Sequence, residues 1–252
     1  MEWYWILLIV LGSFILLLAI MSIFYRPFFK RVCDIICGLA VFIFLWPLYL
    51  LLVILVRVKL GKPVLFRQVR PGKNGKLFTL YKFRSMTDER DENGNLLPDE
   101  VRLTKFGKWL RKSSLDEVPE AINIIKGDMS VVGPRPFLVK DYVFFSDEVM
   151  KRQDVKPGLT GLAQVNGRNN ISWEEKFKYD LEYSKKVTFW KDSVLVLKTI
   201  RKAFVKKENI YRDCFSTDED YGDYLLRVGN INSKYYLEKC KYAKRIVEKY
   251  EK

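Results

Sequence analysis

The sequence predicts a membrane-associated α+β protein: an N-terminal transmembrane helix, a re-entrant membrane helix, and a small globular domain built from a β-hairpin and amphipathic surface helices. Three observations carry this expectation. Two long apolar runs fill the first sixty residues, a strand-like alternation flanks the turn Pro71-Gly72-Lys73-Asn74-Gly75, and the remainder carries apolar residues at helical spacing among many charges. The expected units are 1–25 for the transmembrane helix, 30–58 for the re-entrant helix, 59–207 for the globular domain and 208–252 for a C-terminal tail.

Trp3 to Tyr25 is an uncharged apolar run long enough for a hydrocarbon core, which takes about 20 helical residues. Trp3, Tyr4 and Trp5 at one end and Phe24 and Tyr25 at the other resemble interfacial belts. Glu2 stands where a signal peptide carries a basic region, so the segment reads as an anchor. Val32 to Val56 is a second apolar run, interrupted by Asp34 and Pro47. Arg26, Lys30 and Arg31 precede it, while Arg57, Lys59 and Lys62 follow it. The positive-inside rule draws both flanks to one side, and a helix bent at Pro47 that enters and leaves by the same face satisfies it. A proline-kinked span with the domain on the far side is the alternative.

Val64 to Ser85 reads as a β-hairpin. Lys82 and Arg84 project from one face of its second strand, spaced either to grip a diphosphate or to guard an exposed edge. Asp88 to Glu100 is a polar surface loop. Leu103, Phe106 and Leu110 then recur at helical spacing beside Lys105, Lys108, Arg111 and Lys112, as in a helix lying on a membrane or exposing a charged face to water, and the membrane segments favour the first. Trp173 to Lys186 and Phe189 to Lys207 read as helices, the second with Trp190, Val194, Leu197 and Ile200 on one side. A charged helix from Ser233 to Tyr250 closes the tail.

Ser113 to Pro136 is chemically the densest stretch. Ser114 and Glu117 have the spacing of a helix capping box, although Pro119 would then delete a helical hydrogen bond that a start at Asp116 preserves. Either start leaves Asp116 and Glu117 at the positive end of a helix. Gly133-Pro134-Arg135-Pro136 presents an arginine on a loop with two fixed φ angles. Pro157 to Arg168 is punctuated by glycines that permit close backbone approach, without the spacing of a nucleotide-binding P-loop.

Composition narrows the chemistry. A net charge of +14 calls for an anionic partner, and the apolar segments favour membrane lipids and phosphorylated substrates over nucleic acid. The chain has no histidine, which excludes histidine triads and His-ligated zinc. Cys33, Cys37, Cys214 and Cys240 form no CxxC pair, and the first two read as buried apolar residues.

Three motifs in order, RPGKNGKLFTLYKFRSM, SLDEVPEAINIIKGDMSVVGPRP and VKPGLTGLAQVNGR, resemble the small monotopic phosphoglycosyl transferases of bacteria, over roughly residues 30 to 205. Trp46 is a departure, standing where the family often has serine before the proline. The resemblance implies transfer of a phosphosugar from a UDP-sugar to polyprenyl (undecaprenyl) phosphate, with release of UMP, at the cytoplasmic face of the bacterial inner membrane. It implies Asp116 as nucleophile and Arg168 as a partner of the nucleotide diphosphate. Lys82, Arg84, Arg111, Arg135 and Arg168 are candidates to shield phosphate charge, and Glu117 with Asp116 to hold a magnesium ion. A metal-dependent phosphatase and a non-enzymatic basic membrane scaffold remain as alternatives.

Overall fold

A computed structural model of the chain describes residues 2–167, 171–204 and 219–252. Helix α1 (Glu2–Phe24) runs through a π-helical turn at Tyr25–Phe29 into α2 (Lys30–Leu60), and Tyr25–Leu60 is long and apolar enough to cross a membrane. The start of α2 is bolted to the globular domain by polar contacts. Lys30 donates to the Val132 carbonyl at 2.9 Å, and Arg31 donates to the carbonyls of Ile124 and Ile125. Asp34 is buried and accepts from the Ser130 hydroxyl and the Val131 N–H, both at 2.9 Å, which accounts for a carboxylate inside an apolar run.

The end of α2 returns to the same domain. Leu52, Val56 and Leu60 are buried with Phe83 and Leu110, whereas Ile43, Phe44 and Trp46 near the middle are 62–77% exposed. Cys33 is half-buried and Cys37 exposed, so the expectation that both are buried fails: Asp34 and Gly38 share the face turned to the domain, and Cys37 lies off it. Cys214 lies outside the described residues.

The hairpin forms as the alternation predicts, with β1 (Leu65–Pro71) antiparallel to β2 (Leu77–Phe83) and Leu65 opposite Phe83. In the following loop the Asp91 carboxylate gathers the N–H groups of Asn93 and Asn95, and a one-turn helix α3 (Asp99–Arg102) ends it. Helix α4 (Lys105–Lys112) is capped by Thr104. Leu103 and Leu110 are buried and only Trp109 of its large apolar side chains is strongly exposed, so the apolar side of α4 serves the core.

A second, two-stranded parallel sheet joins β3 (Ser130–Val132) to β4 (Gly158–Thr160), after helix α5 (Glu120–Lys126) and with α6 (Val139–Tyr142) and α7 (Asp147–Met150) in the connection. The PGLTG segment therefore holds a strand where a ligand loop was expected. A Cβ on Gly158 would sit 2.0 Å from the Gly133 nitrogen, so its missing side chain admits another backbone. Helices α8 (Leu162–Asn166), α9 (Trp173–Lys185) and α10 (Phe189–Phe204) follow, α9 opening with a Ser172–Glu175 capping box. Trp190, Val194, Leu197 and Ile200 of α10 are exposed, while Leu195 is buried. Residues 205–207, at the expected end of α10, are not described.

The tail folds back as α11 (Tyr221–Arg227) and α12 (Ser233–Glu251). Ala243 of α12 is buried against Val69, Val139, Val143 and Phe144, with Leu77, Cys240, Ile246 and Val247 around them.

Candidate active site

The serine pair does not cap the helix that follows. The Ser113 hydroxyl donates to the carbonyls of Trp109 and Leu110 and so closes α4, while Ser114 adopts a left-handed φ of 56° and turns the chain. Leu115–Glu117 forms one 3-10 turn, and α5 starts only at Glu120 with Pro119 as its N-cap, where the missing proline N–H costs no helical bond. The expected capped helix is thus two pieces, and Asp116 and Glu117 sit on the short one.

Asn123, fully buried, fixes this arrangement on the hairpin. Its side chain donates to the Thr79 carbonyl at 2.7 Å and accepts from the Tyr81 N–H at 3.1 Å, completing the free edge of β2. Lys82 then reaches the acids: its Nζ lies 3.0 Å from Glu117 Oε1 and 3.1 Å from Glu120 Oε1. Arg135 Nη2 lies 3.0 Å from the same Glu117 oxygen. Asp116, Glu117 and Glu120 are 4%, 8% and 2% exposed.

Glu117 and Glu120 therefore share Lys82, and Glu117 also takes Arg135, with Asp116 next to it in the chain. Burial, reinforced by the Glu117 charge and opposed by Lys82 and Arg135, pushes the Glu120 carboxyl up from the usual carboxylate range. Glu117, with help from Glu120 and Asp116, strengthens the hold of Arg135 on its proton. The cluster is poised to exchange internal ion pairs for an incoming phosphate or cation.

The loop carrying Arg135 is held by its carbonyls, the only backbone hydrogen-bonding groups its prolines offer. Gly158 N–H donates to Pro134 O at 2.9 Å, Arg152 Nη2 to Arg135 O at 2.6 Å, and Arg70 Nη1 to Pro136 O at 3.1 Å. Arg152 is itself anchored by Asp180 at 2.7 and 3.0 Å and lies 4.4 Å from the Phe137 ring centre. Burial and the neighbouring Arg135 charge lower Arg70 to about 10.

Among the predicted residues, the structure joins Asp116, Glu117, Lys82 and Arg135. Arg84 is directed elsewhere: its guanidinium donates to the Lys62 carbonyl, to Met86 O at 2.8 Å, and pairs with Asp88 at 2.6 Å, stitching the ends of the hairpin. It stands one residue beyond β2, so the strand alternation that put it beside Lys82 has ended there. Arg111 donates to the Ser85 hydroxyl at 2.8 Å. Arg168 lies outside the described residues. Glu120, Arg70, Arg152 and Asp180 were not selected from the sequence. Glu120 had a visible signal, three residues after Glu117, whereas Arg70, Arg152 and Asp180 join the support of the Arg135 loop only through the fold.

As for a magnesium site, no cluster of three or more Asp, Glu, Cys or His side chains positioned for a metal occurs among the described residues. What is present is an adjacent, buried Asp116–Glu117 pair, a donor set that fits magnesium, since that ion commonly takes one or two carboxylates and completes its shell with substrate phosphate and water.

The sequence pattern of the bacterial sugar transferases matches residues 25–206. The chain is 49% identical over 178 residues to an uncharacterized sugar transferase, EpsL, of Bacillus subtilis, covering 71% of this chain and 88% of that one. It is 40% identical over 189 residues to a UDP-glucose:undecaprenyl-phosphate glucose-1-phosphate transferase of Klebsiella pneumoniae, and 36% identical over 201 residues to an undecaprenyl-phosphate galactose phosphotransferase of Salmonella typhimurium. Those alignments cover 71% and 73% of this chain and 41% and 42% of the relatives, so the chain spans less than half of these two proteins. With most of its length matched, and its densest cluster of buried charge inside the matched region, the chain belongs to the bacterial sugar transferase family.

Proposed function

We propose that the protein transfers a sugar 1-phosphate from a UDP-sugar to polyprenyl phosphate at the cytoplasmic face of a bacterial inner membrane, beginning the assembly of a glycan. The observation that carries this reading is the buried Asp116–Glu117 pair beside Lys82 and Arg135, in a family whose relatives include undecaprenyl-phosphate sugar transferases. An Asp116 carboxylate oxygen attacks the phosphorus attached to the sugar, the bond to the UMP oxygen breaks, and an acyl phosphate carrying the sugar remains on the enzyme. An oxygen of polyprenyl phosphate then attacks the same phosphorus and the carboxylate leaves. Arg135 and Lys82 shift from Glu117 toward phosphate oxygens and stabilise the charge that develops there. Glu117 and Asp116 would hold magnesium, which supplies further neutralisation of the diphosphate.

The membrane disposition is part of the same proposal. Both ends of α2 pack on one domain while its middle is exposed, which supports a re-entrant α2. A straight α2 of 31 residues would separate its ends by about 46 Å, more than a hydrocarbon core. Single cysteines at positions 2, 28 and 60, in a chain lacking the native four, are expected to react with an impermeant reagent on intact cells only at position 2. Labelling at 60 would refute the re-entrant reading.

The chemical test omits the lipid. Incubated with UDP-sugar and magnesium alone, the enzyme is expected to release at most a single UMP per site and to gain the mass of the sugar phosphate. Continuous UMP release would indicate hydrolysis by water and overturn the transferase reading.

A further inference from the structure

The C-terminal tail lies beyond the 25–206 region shared with the family, yet it is packed beneath the loop that presents Arg135. Tyr221, at the start of α11, places its ring 5.1 Å from Trp173, 5.0 Å from Phe177 and 5.8 Å from Phe145. Those rings in turn surround Phe137, which lies 5.2 Å from Trp173, 6.1 Å from Phe177 and 5.9 Å from Phe145. Phe137 follows the Arg135-Pro136 pair directly and carries the Arg152 guanidinium that grips the Arg135 carbonyl.

The docking has its own specific contacts. The Tyr221 N–H donates to Asp141 at 2.9 Å, Tyr224 donates to Glu174 at 2.7 Å, and Lys140 pairs with Asp220. Gly222 is buried against Phe144, where an added Cβ would meet ring carbons at 2.5 and 3.0 Å. A helical glycine with a ring that close lets α11 seat on the segment that follows α6. On the far side Tyr236 stacks on Phe144 at 5.9 Å, so α12 holds the same ring that Gly222 accommodates.

We propose that Tyr221 is a positioning residue for Arg135: the tail completes the aromatic cluster that holds Phe137 and Arg152, and thereby fixes the guanidinium that meets substrate phosphate. Ring contacts among Phe137, Phe145, Trp173, Phe177 and Tyr221 stiffen a loop whose prolines offer no N–H of their own. The proposal rests on the role given to Arg135 above, and its test separates the two.

In the full chain, Tyr221→Ala is expected to speed hydrogen exchange in peptides spanning 133–145 and 173–180 and to lower kcat/KM for the UDP-sugar about tenfold, while Tyr221→Phe keeps both near wild type. Gly222→Ala, which acts through Phe144, is expected to reproduce the exchange effect. In an Arg135→Ala background the Tyr221→Ala loss should shrink to less than about twofold, because the two residues act as a unit. Unchanged exchange in both tail variants would overturn the proposal, and so would a loss that adds in full to that of Arg135→Ala. If the wild-type chain turns over no UDP-sugar, the transferase reading fails, while the exchange measurement still decides whether the tail braces the loop.

Discussion

Two buried charge clusters in this molecule are built from similar parts and differ in arrangement. At the junction of α2 and the domain, Asp192 accepts from Tyr25 at 2.7 Å and Tyr183 at 2.8 Å and pairs with Lys30, which also donates to Val132 O. One carboxylate meets one cation, and both its oxygens are occupied by donors. In the candidate site, Glu117 and Glu120 share Lys82 while Glu117 also takes Arg135, and Glu120 binds its proton more tightly than usual because it is buried beside Glu117. The first cluster locks a joint. The second sets Glu117 close enough to Glu120 to tighten its hold on a proton, a repulsion that an incoming cation can relieve, which is a property of sites more than of scaffolds.

Substitutions can break that contrast, and the largest effect belongs to the site. Asp116→Asn is expected to remove turnover by about ten-thousand-fold or more, roughly 5.5 kcal/mol of barrier, and to abolish the phosphosugar mass adduct proposed above, with little change in thermal stability. Asp192→Asn should do the reverse. It strands Lys30 at the joint and is expected to cost about 3 kcal/mol or more of stability, read as a lowered Tm, while the folded fraction keeps its KM for the UDP-sugar.

Glu120→Gln sharpens the comparison, since it mimics the protonated acid. The raised Glu120 value means that the folded state binds a proton more readily than the unfolded one, so its stabilising contribution is present at low pH and is lost as pH rises through the folded value. Removing the charge should therefore raise Tm at pH 7, with the gain fading toward pH 4, even as the loss of a Lys82 partner lowers kcat/KM by about fivefold. Equal Tm shifts at both pH values would contradict the reading of a strained carboxylate.

Asp141 offers a second titration outside the site. Burial and the nearby Asp220 charge push it to about 6, although it accepts from the Leu138 and Tyr221 N–H groups. The sign is the same as for Glu120: stability linked to Asp141 falls as pH rises from about 4 to about 6, and Asp141→Asn is expected to flatten that slope in a pH series of Tm. The smallest effect is expected at Asn93 and Asn95, whose backbone groups bond to Asp91 in an exposed loop. Replacing both with serine should leave turnover within about threefold, and a larger loss would bring that loop into the site.

Periodicity and composition were enough for the elements. The hairpin, helices α9, α10 and α12, and the long apolar α2 all follow from the spacing of apolar residues and from local turn chemistry, which act between neighbours in the chain. The acid pair, Lys82 and Arg135 were also legible, because two adjacent carboxylates and an arginine between prolines are unusual as sequence. Tertiary structure decided which charge meets which. Arg84 and Lys82 look equivalent on a strand, yet one faces the carboxylates and the other closes a loop, because β2 ends between them. Ser113 ends a helix instead of starting one, since Ser114 takes a left-handed turn that no local rule required. Asp34, Arg152, Asp180 and Tyr221 find their partners across 28 to 97 residues or in rings gathered from separate helices. A buried charge is tolerable only where its partner arrives, and that arrival is set by packing over long separations in the chain.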